Sequence, residues 1–292
     1  MKFYIDFDHT LYNTNNLISA MLNSIAEYIL NNGDFEHFAE NFKKKYPNLE
    51  PISIERNLES ITQVLKSNFK RPEFTTLKID YNIFALLNAF GKLFNCNCDE
   101  MKKNIDLILD NGRKYLYSDS MTFVRELKKQ GNEVYILSHD RFDLTFQNKK
   151  IQGSEIFNSD LIDGIILTKV SKASLDNVTI KNPNVTLRAS TDSAKPLPDS
   201  IDYKNGIFID DRPADLEALH DVCYKNQYPP FKTRIYRLRR ENGTYANKPG
   251  SGDPKYNYGI QSVTSLAKLS QVLSNEQQSS QSGEREMNKK IL

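Results

Sequence analysis

The sequence predicts an α/β fold, in which a parallel sheet carries helices on both faces and a helical segment follows the first strand. Two observations support this prediction. Short apolar runs that end in polar turns recur along the chain and alternate with helical patterns, which is typical of a buried, Rossmann-like parallel sheet. Between residues 17 and 116, in contrast, apolar residues recur at helical spacing and no strand pattern interrupts them.

The composition narrows the class of protein. The chain has 292 residues, enough for one large or two modest domains. Its net charge of +2 gives no reason to expect nucleic acid or an anionic membrane as a partner. The chain also has no apolar run long enough to cross a bilayer and no signal sequence after Met1. With only three cysteines, which we expect to be reduced thiols, these features predict a cytoplasmic protein.

The first strand comprises Phe3, Tyr4 and Ile5, and it ends in two carboxylates, Asp6 and Asp8. Two carboxylates at this spacing repel each other, and one of them would be protonated unless a cation lies between them. Mg²⁺ is the simplest cation for a site that offers only oxygen ligands. The stretch therefore indicates a metal site at the carboxyl end of a strand, where open α/β sheets bind ligands. The alternative interpretation is an Asp-rich turn without a ligand.

The next hundred residues contain five apolar stripes at helical spacing and no strand. They predict a helical domain over residues 15–114, inserted into an α/β core of residues 1–14 and 115–273. Residues 274–292 are almost devoid of apolar side chains, so we expect a disordered tail.

The α/β pattern then resumes. Further strands are predicted at residues 134–137, 165–167, 185–187, 207–209 and 234–239, and a final helix at residues 263–273. Ser138 and His139 follow the first of these strands, and Asp210 and Asp211 follow the fourth. Because the carboxyl ends of parallel strands lie at one edge of a sheet, these side chains are expected to meet Asp6 and Asp8 in one crevice.

At these residues the sequence resembles the haloacid dehalogenase superfamily, in particular its Mg²⁺-dependent phosphatase-like branch with a helical cap. The resemblance is carried by the run Asp6-Phe7-Asp8-His9-Thr10-Leu11, by Ser138 and by the pair Asp210-Asp211, in this order along the chain. The family often has Gly at the position of His9. The resemblance implies that the helical insertion is a cap that selects the substrate.

The resemblance also implies roles for these residues. Asp6 would be the nucleophile that forms an aspartyl-phosphate, and Asp8 would be the general acid and base. Ser138 would donate a hydrogen bond to the phosphoryl group, near Thr10 and His139. Magnesium would be held by Asp6, by the backbone carbonyl of Asp8 and by one or both of the carboxylates Asp210 and Asp211.

The family's catalytic lysine is harder to place in a chain so rich in lysine. Lys195 precedes the last acidic strand at a suitable distance, and Lys169, Lys172 and Lys204 compete with it. The sequence therefore leaves the choice among these four lysines open.

The resemblance leads to the expectation of a Mg²⁺-dependent phosphomonoester hydrolase that acts on a small phosphorylated metabolite, such as a nucleotide or a sugar phosphate. A phosphomutase or phosphotransferase with the same core is one alternative, and a non-catalytic regulatory module that retains the fold is another. A small basic cluster, Arg237, Arg239 and Arg240, favours action on nucleic-acid ends only weakly. The physiological substrate and the oligomeric state stay open.

Overall fold

The computed structural model describes residues 1–70, 74–79, 82–139, 144–156, 161–168, 171–174, 185–189, 201–225, 234–241 and 243–276. These residues form two compact units. The described residues of Met1–Asn13, Leu116–Arg141 and Glu155–Leu292 form unit 1, and those of Thr14–Tyr115 and Phe142–Ser154 form unit 2.

Unit 1 contains a seven-stranded sheet with the strand order β4-β3-β2-β1-β5-β6-β7. The strands are β1 (Lys2–Ile5), β2 (Glu133–His139), β3 (Gly164–Thr168), β4 (Val185–Ala189), β5 (Ile207–Asp210), β6 (Ile235–Leu238) and β7 (Ile260–Val263). All neighbouring strands run parallel except β3 and β4, which are antiparallel. The sheet confirms the predicted Rossmann-like α/β fold, with one antiparallel edge strand.

The described residues form nine helices, and those of unit 1 alternate with the strands. The nine helices are α1 (Thr14–Asn32), α2 (Phe38–Lys45), α3 (Leu58–Asn68), α4 (Ile83–Leu93), α5 (Cys98–Asp110), α6 (Ser120–Lys129), α7 (Leu144–Gly153), α8 (Pro213–Cys223) and α9 (residues 266–276). Short 3₁₀ turns occupy Gly112–Tyr115, Lys172–Ser174 and Pro254–Tyr258. None of the described helices has the length and hydropathy needed to cross a membrane.

Strand β1 lies at the centre of the sheet because its side chains are apolar on both faces. Phe3, Tyr4 and Ile5 are all buried, and Tyr4 stacks between Tyr135 of β2 and Phe208 of β5. Buried strands of this kind are typical of parallel sheets. The central position of β1 places the residue that follows it, Asp6, between the ends of β2 and β5.

Unit 2 consists of helices in the described residues. Helix α1 packs against α3, α4 and α5, and its apolar stripe is fully buried. The five helices α1 to α5 occur where five apolar stripes were predicted. The unit also contains α7, which packs against α5, whereas the predicted boundaries place the corresponding residues in the α/β core. That unit 2 acts as a cap stays a prediction.

Two elements at the edges of the sheet differ from prediction. Strand β4 begins at the predicted residue but runs antiparallel to β3, a direction that an apolar run does not encode. Strand β7 was missed, because Ile260–Val263 is short and follows a loop rich in Gly and Pro. Val263 therefore ends a strand, and the final helix begins three residues later than predicted, at residue 266.

Candidate active site

Three carboxylates converge where β1 and β5 end. The Asp6 amide donates a hydrogen bond to the Ile209 carbonyl at 2.8 Å, which extends the pairing of the two strands by one residue. Asp210 ends β5 and Asp211 follows it. One carboxylate oxygen from each of Asp6, Asp210 and Asp211 lies within 4.8 Å of the others, and the three residues are only 7%, 2% and 5% exposed.

A buried lysine joins two of these carboxylates. Lys172 begins the 3₁₀ turn after β3, and its Nζ lies 2.5 Å from Oδ1 of Asp6 and 2.5 Å from Oδ2 of Asp210. Its backbone carbonyl accepts a hydrogen bond from the Tyr203 hydroxyl at 2.5 Å. The turn is therefore held in place from its backbone, and the ammonium group is positioned between the two carboxylates.

Burial and like charges dominate the electrostatics of the cluster. Burial raises the pKa of Asp6 to about 8, with contributions from Asp210 and Asp8 that Lys172 opposes. Burial also raises the pKa of Asp211 to about 9, together with the charges of Asp210 and Asp6. Burial disfavours the charged form of Lys172, but the neighbouring Asp210 and Asp6 outweigh it and raise the pKa of this lysine.

The cluster fits a divalent cation. Lys172 supplies one positive charge to three buried carboxyl groups, and the raised pKa values of Asp6 and Asp211 show that their ionised forms are not fully compensated without a further cation. In addition, Oδ2 of Asp211 is buried and makes no hydrogen bond within the described part of the chain. A buried oxygen without a donor is costly, and an oxygen-only donor set suits Mg²⁺. Asp6, Asp210 and Asp211 are therefore the residues that could hold the predicted metal.

Asp8 lies in the turn that follows β1. It is half-buried, and its charge contributes to the raised pKa values of Asp6 and Asp211, so it lies within electrostatic range of the cluster. The turn is closed by hydrogen bonds from the amides of Leu11 and Tyr12 to the Phe7 carbonyl, both at 3.0 Å. The structure thus brings Asp8 close to the three carboxylates, as predicted from the spacing of Asp6 and Asp8.

His9, in the same turn, has a φ of 58°, which is the left-handed region. This region favours glycine because a Cβ atom crowds the following carbonyl. This positive φ gives a physical reason why the superfamily that the sequence resembles often has Gly at this position. The His9 ring instead faces the segment after β6, with Nε2 3.2 Å from Oγ1 of Thr244.

The turn is also tied down by Arg240, whose role the sequence did not indicate. Its Nη2 donates to the Thr10 carbonyl at 2.8 Å and to Oδ1 of Asp119 at 2.8 Å, and its guanidinium lies 3.8 Å from the ring centroid of Tyr117. The Thr10 side chain is fully buried. Arg240 therefore anchors the turn that contains Asp8, which leaves little of the basic cluster that was considered for nucleic-acid ends.

Two of the remaining predicted residues lie at the same edge, one precedes β5 at the opposite end of the strand, and two fall outside the described residues. Ser138 is buried near the end of β2, opposite Leu167 of β3, and the half-buried His139 ends the strand. Lys195 and Lys169 fall outside the described residues, and Lys204 is exposed. Of the two candidate lysines that the structure describes, Lys172 is the one that contacts the carboxylates.

The same architecture is found in solved structures. A haloacid dehalogenase-like hydrolase from Burkholderia xenovorans superimposes with a TM-score of 0.50 at 16% identity, over 92% of this chain and 94% of that one. The chain has the fold of the haloacid dehalogenase-like hydrolases. At this identity the likeness concerns the fold.

Two further structures with the haloacid dehalogenase-like fold are similar over comparable spans. The HAD-hydrolase YfnB from Bacillus subtilis, solved with magnesium, gives a TM-score of 0.48 at 13% identity over 93% of this chain and 97% of that one. A β-phosphoglucomutase from Thermotoga maritima gives 0.46 at 10% identity, over 94% and 98%. No protein-family model and no curated protein matches the sequence.

Proposed function

We propose that this protein is a Mg²⁺-dependent phosphomonoester hydrolase of a small phosphorylated metabolite. The observation that carries the proposal is the buried cluster of Asp6, Asp210 and Asp211 with Lys172 at its centre, at the carboxyl edge of a parallel sheet. Such a cluster can bind a cation and, through it, the oxygens of a phosphate group. A buried cluster of this charge is costly to the fold, which favours a catalytic role.

Asp6 is the proposed nucleophile. Lys172 contacts its Oδ1 atom, so we assign the attack on phosphorus to Oδ2. The P–Oδ2 bond forms as the bond from phosphorus to the leaving oxygen breaks, which gives an aspartyl-phosphate and the free alcohol. The ion pair with Lys172 favours the ionised form of Asp6 that this step needs, against the effect of burial.

Asp8 is the proposed acid and base. It is less buried than Asp6 and follows it by two residues, and it lies within electrostatic range of that carboxylate. In the first step it gives its proton to the leaving oxygen, and in the second it takes a proton from the water that attacks phosphorus. The second step releases inorganic phosphate and restores the Asp6 carboxylate.

Magnesium would be held by Asp6, Asp210 and Asp211, and when bound it would offset the repulsion between the phosphate and the carboxylates. Lys172 would contribute to the same neutralisation and would hold Asp6 and Asp210 in place through its two ion pairs. Ser138, buried near the end of the adjacent strand β2, is proposed to donate a hydrogen bond to a phosphoryl oxygen.

The experiment compares phosphate release from p-nitrophenyl phosphate with Mg²⁺ and with EDTA in the wild type, Asp6→Asn and Asp110→Asn. Asp110 is an exposed carboxylate at the end of α5 and serves as the matched control. We expect metal-dependent turnover that falls about 10³-fold or more in Asp6→Asn and is unchanged in Asp110→Asn. Hydroxylamine trapping of an acid-quenched reaction, followed by mass spectrometry, should locate the acyl-phosphate at Asp6. Turnover that survives Asp6→Asn would contradict the proposal.

A further inference from the structure

The turns that follow the two acidic strand ends carry side chains that converge on Tyr245. His9 directly follows Asp8, and its ring packs edge-on to the Tyr245 ring at 6.4 Å between centroids. Arg212 directly follows Asp211, and its guanidinium lies 5.8 Å from the centroid of the same ring. Arg212 is adjacent in sequence to a member of the carboxylate cluster, and His9 lies three residues after Asp6, so both belong to the turns that begin at the cluster.

A lysine completes this group of side chains around Tyr245. The Nζ atom of Lys248 lies 5.1 Å from the Tyr245 centroid, and the lysine is exposed. We call His9, Arg212, Tyr245 and Lys248 the cationic rim. All four residues belong to unit 1, like the carboxylates themselves.

The rim is held by strand β6. The Arg237 guanidinium donates through Nη2 to the carbonyl of Tyr245 at 2.9 Å and to that of Lys248 at 2.5 Å. Arg239 donates through Nε to the Ala246 carbonyl at 2.8 Å. A loop fixed by three hydrogen bonds to its carbonyls presents its side chains in a defined arrangement, as a binding surface requires.

The charge of the rim is not matched by its acidic neighbours. Arg212 has one carboxylate partner among the described contacts, Asp215 at 3.5 Å, and 37% of its side chain is exposed. Glu217 is engaged by the backbone, since its Oε1 accepts a hydrogen bond from the Ser251 amide at 2.6 Å. Among the described contacts, Arg212 is therefore paired with a carboxylate only through Asp215, at the limit of hydrogen-bond distance, and it keeps a partly exposed guanidinium beside the site.

We propose that the cationic rim binds a second anionic group, a carboxylate or a further phosphate, on the organic part of the phosphate monoester. This inference rests on the proposed function of the carboxylate cluster and names the class of substrate for the same site. Arg212 would donate to the second anion in a charge-assisted hydrogen bond, and Lys248 would add its charge. The Tyr245 ring, which both cations approach, would pack against the carbon skeleton that joins the two anions.

The test uses a pair of non-hydrolysable ligands, benzylphosphonate and 4-carboxybenzylphosphonate, which differ by one carboxylate. Their affinities for the Mg²⁺-loaded protein are measured by titration calorimetry in the wild type, Arg212→Gln, Lys248→Gln and Arg125→Gln. Arg125 is an exposed arginine on α6 and is the matched control. A benzylbisphosphonate with a second phosphonate in the para position distinguishes a site for carboxylates from one for phosphates.

If the rim is a site for carboxylates, we expect the wild type and Arg125→Gln to bind 4-carboxybenzylphosphonate about tenfold more tightly than benzylphosphonate. If it is a site for phosphates, the bisphosphonate should show the same preference of about tenfold over benzylphosphonate. In Arg212→Gln the preference should fall to about twofold or less, and in Lys248→Gln it should fall in part. Equal affinity of the wild type for all three ligands, or a preference that survives both variants, would overturn the proposal.

Hydrolysis separates this inference from the proposed function. Phenyl phosphate and 4-carboxyphenyl phosphate are compared in parallel for phosphate release. Selective binding without any hydrolysis would support the rim and refute the hydrolase, whereas hydrolysis of both esters with no selectivity at Arg212 would refute the rim alone. A protein that binds none of the phosphonates and hydrolyses neither ester would overturn both.

Discussion

Lys172 shows how a single buried charge holds the candidate site together. Its ammonium group lies between two carboxylates that would otherwise face each other in a buried environment. Removing one member of a buried charged cluster costs more than losing the pair, because the remaining charges stay buried without compensation.

We therefore expect Lys172→Met to lower the free energy of unfolding by about 3 kcal/mol in the absence of metal. Urea unfolding of the metal-free protein measures the effect. The matched control is Lys204→Met, since Lys204 is exposed and should change stability by less than about 0.5 kcal/mol. Equal effects of the two substitutions would show that Lys172 does not compensate the carboxylates.

His9 carries a different kind of cost, in its backbone. At a φ of 58° a residue with a Cβ atom is disfavoured by about 1 kcal/mol relative to glycine. His9→Gly should therefore be more stable than His9→Ala by about 1 kcal/mol, although both lose the imidazole ring. At Leu107, which is exposed on α5, the order should reverse, because glycine is the poorer residue within a helix. Thermal unfolding of the four variants tests both signs, and the same order at both positions would refute the backbone argument.

At the scale of the element, α8 contains a buried histidine that links stability to pH. His220 packs against the rings of Tyr224 and Tyr256, at 4.8 and 5.0 Å between centroids. The charged groups that act on its ring are Asp221, Lys255 and Asp253. Burial lowers the pKa of His220 below its ordinary value, and the attraction of Asp221 opposes this shift only in part.

The folded protein therefore holds His220 neutral at a pH where the unfolded chain binds a proton. Stability is present above the unfolded pKa of about 6.5 and is lost as the pH falls below it. His220→Gln should lose less stability over this range than the wild type in urea unfolding. His37, which is exposed and has its pKa raised by Asp34, should give the opposite change when replaced by Gln. An unchanged pH dependence in His220→Gln would contradict this account.

The elements also show which parts of the structure a sequence can predict. Strands β1, β2, β3 and β5 were recognised because a central parallel strand is apolar on both faces and forms an unbroken run. Strand β7 was missed because Ile260–Val263 has a single buried residue, Val263. A strand at the edge of a sheet needs few buried apolar residues, so its sequence shows no apolar run. The antiparallel direction of β4 depends on tertiary pairing, which no local pattern encodes.

The residues of the candidate site likewise divide into those that the sequence predicts and those that it does not. Asp6, Asp8, Asp210 and Asp211 follow strands directly, so their position at the sheet edge follows from the fold class alone. Lys172 comes four residues after β3 ends, in a 3₁₀ turn, where nothing in its spacing distinguishes it from other lysines. The usable signal was that β3, like β1 and β5, ends at this edge of the sheet. Arg240 was read as part of a basic cluster because its partner, the Thr10 carbonyl, lies 230 residues away in sequence.

At the scale of the whole molecule, the two units should respond differently to metal. The three carboxylates that could hold it belong to unit 1, and none of the described residues of unit 2 contributes to the cluster. A ligand that binds the native state stabilises it by about 2.7 kcal/mol when present at a hundred times its dissociation constant. Amides that exchange only when the site opens should then exchange about a hundredfold more slowly.

Hydrogen exchange followed by mass spectrometry, with Mg²⁺ and with EDTA, tests this expectation. Peptides from β1 and β5 should gain protection on metal binding, whereas peptides from α1 and α3 of unit 2 should be unchanged. In Asp211→Asn the gain in β1 and β5 should be much smaller, since one of the three carboxylates is neutral. Equal gains in protection in both units would mean that they open as one cooperative structure. The absence of any gain would show that the cluster binds no magnesium, and its buried carboxylates would then have to be explained without a metal.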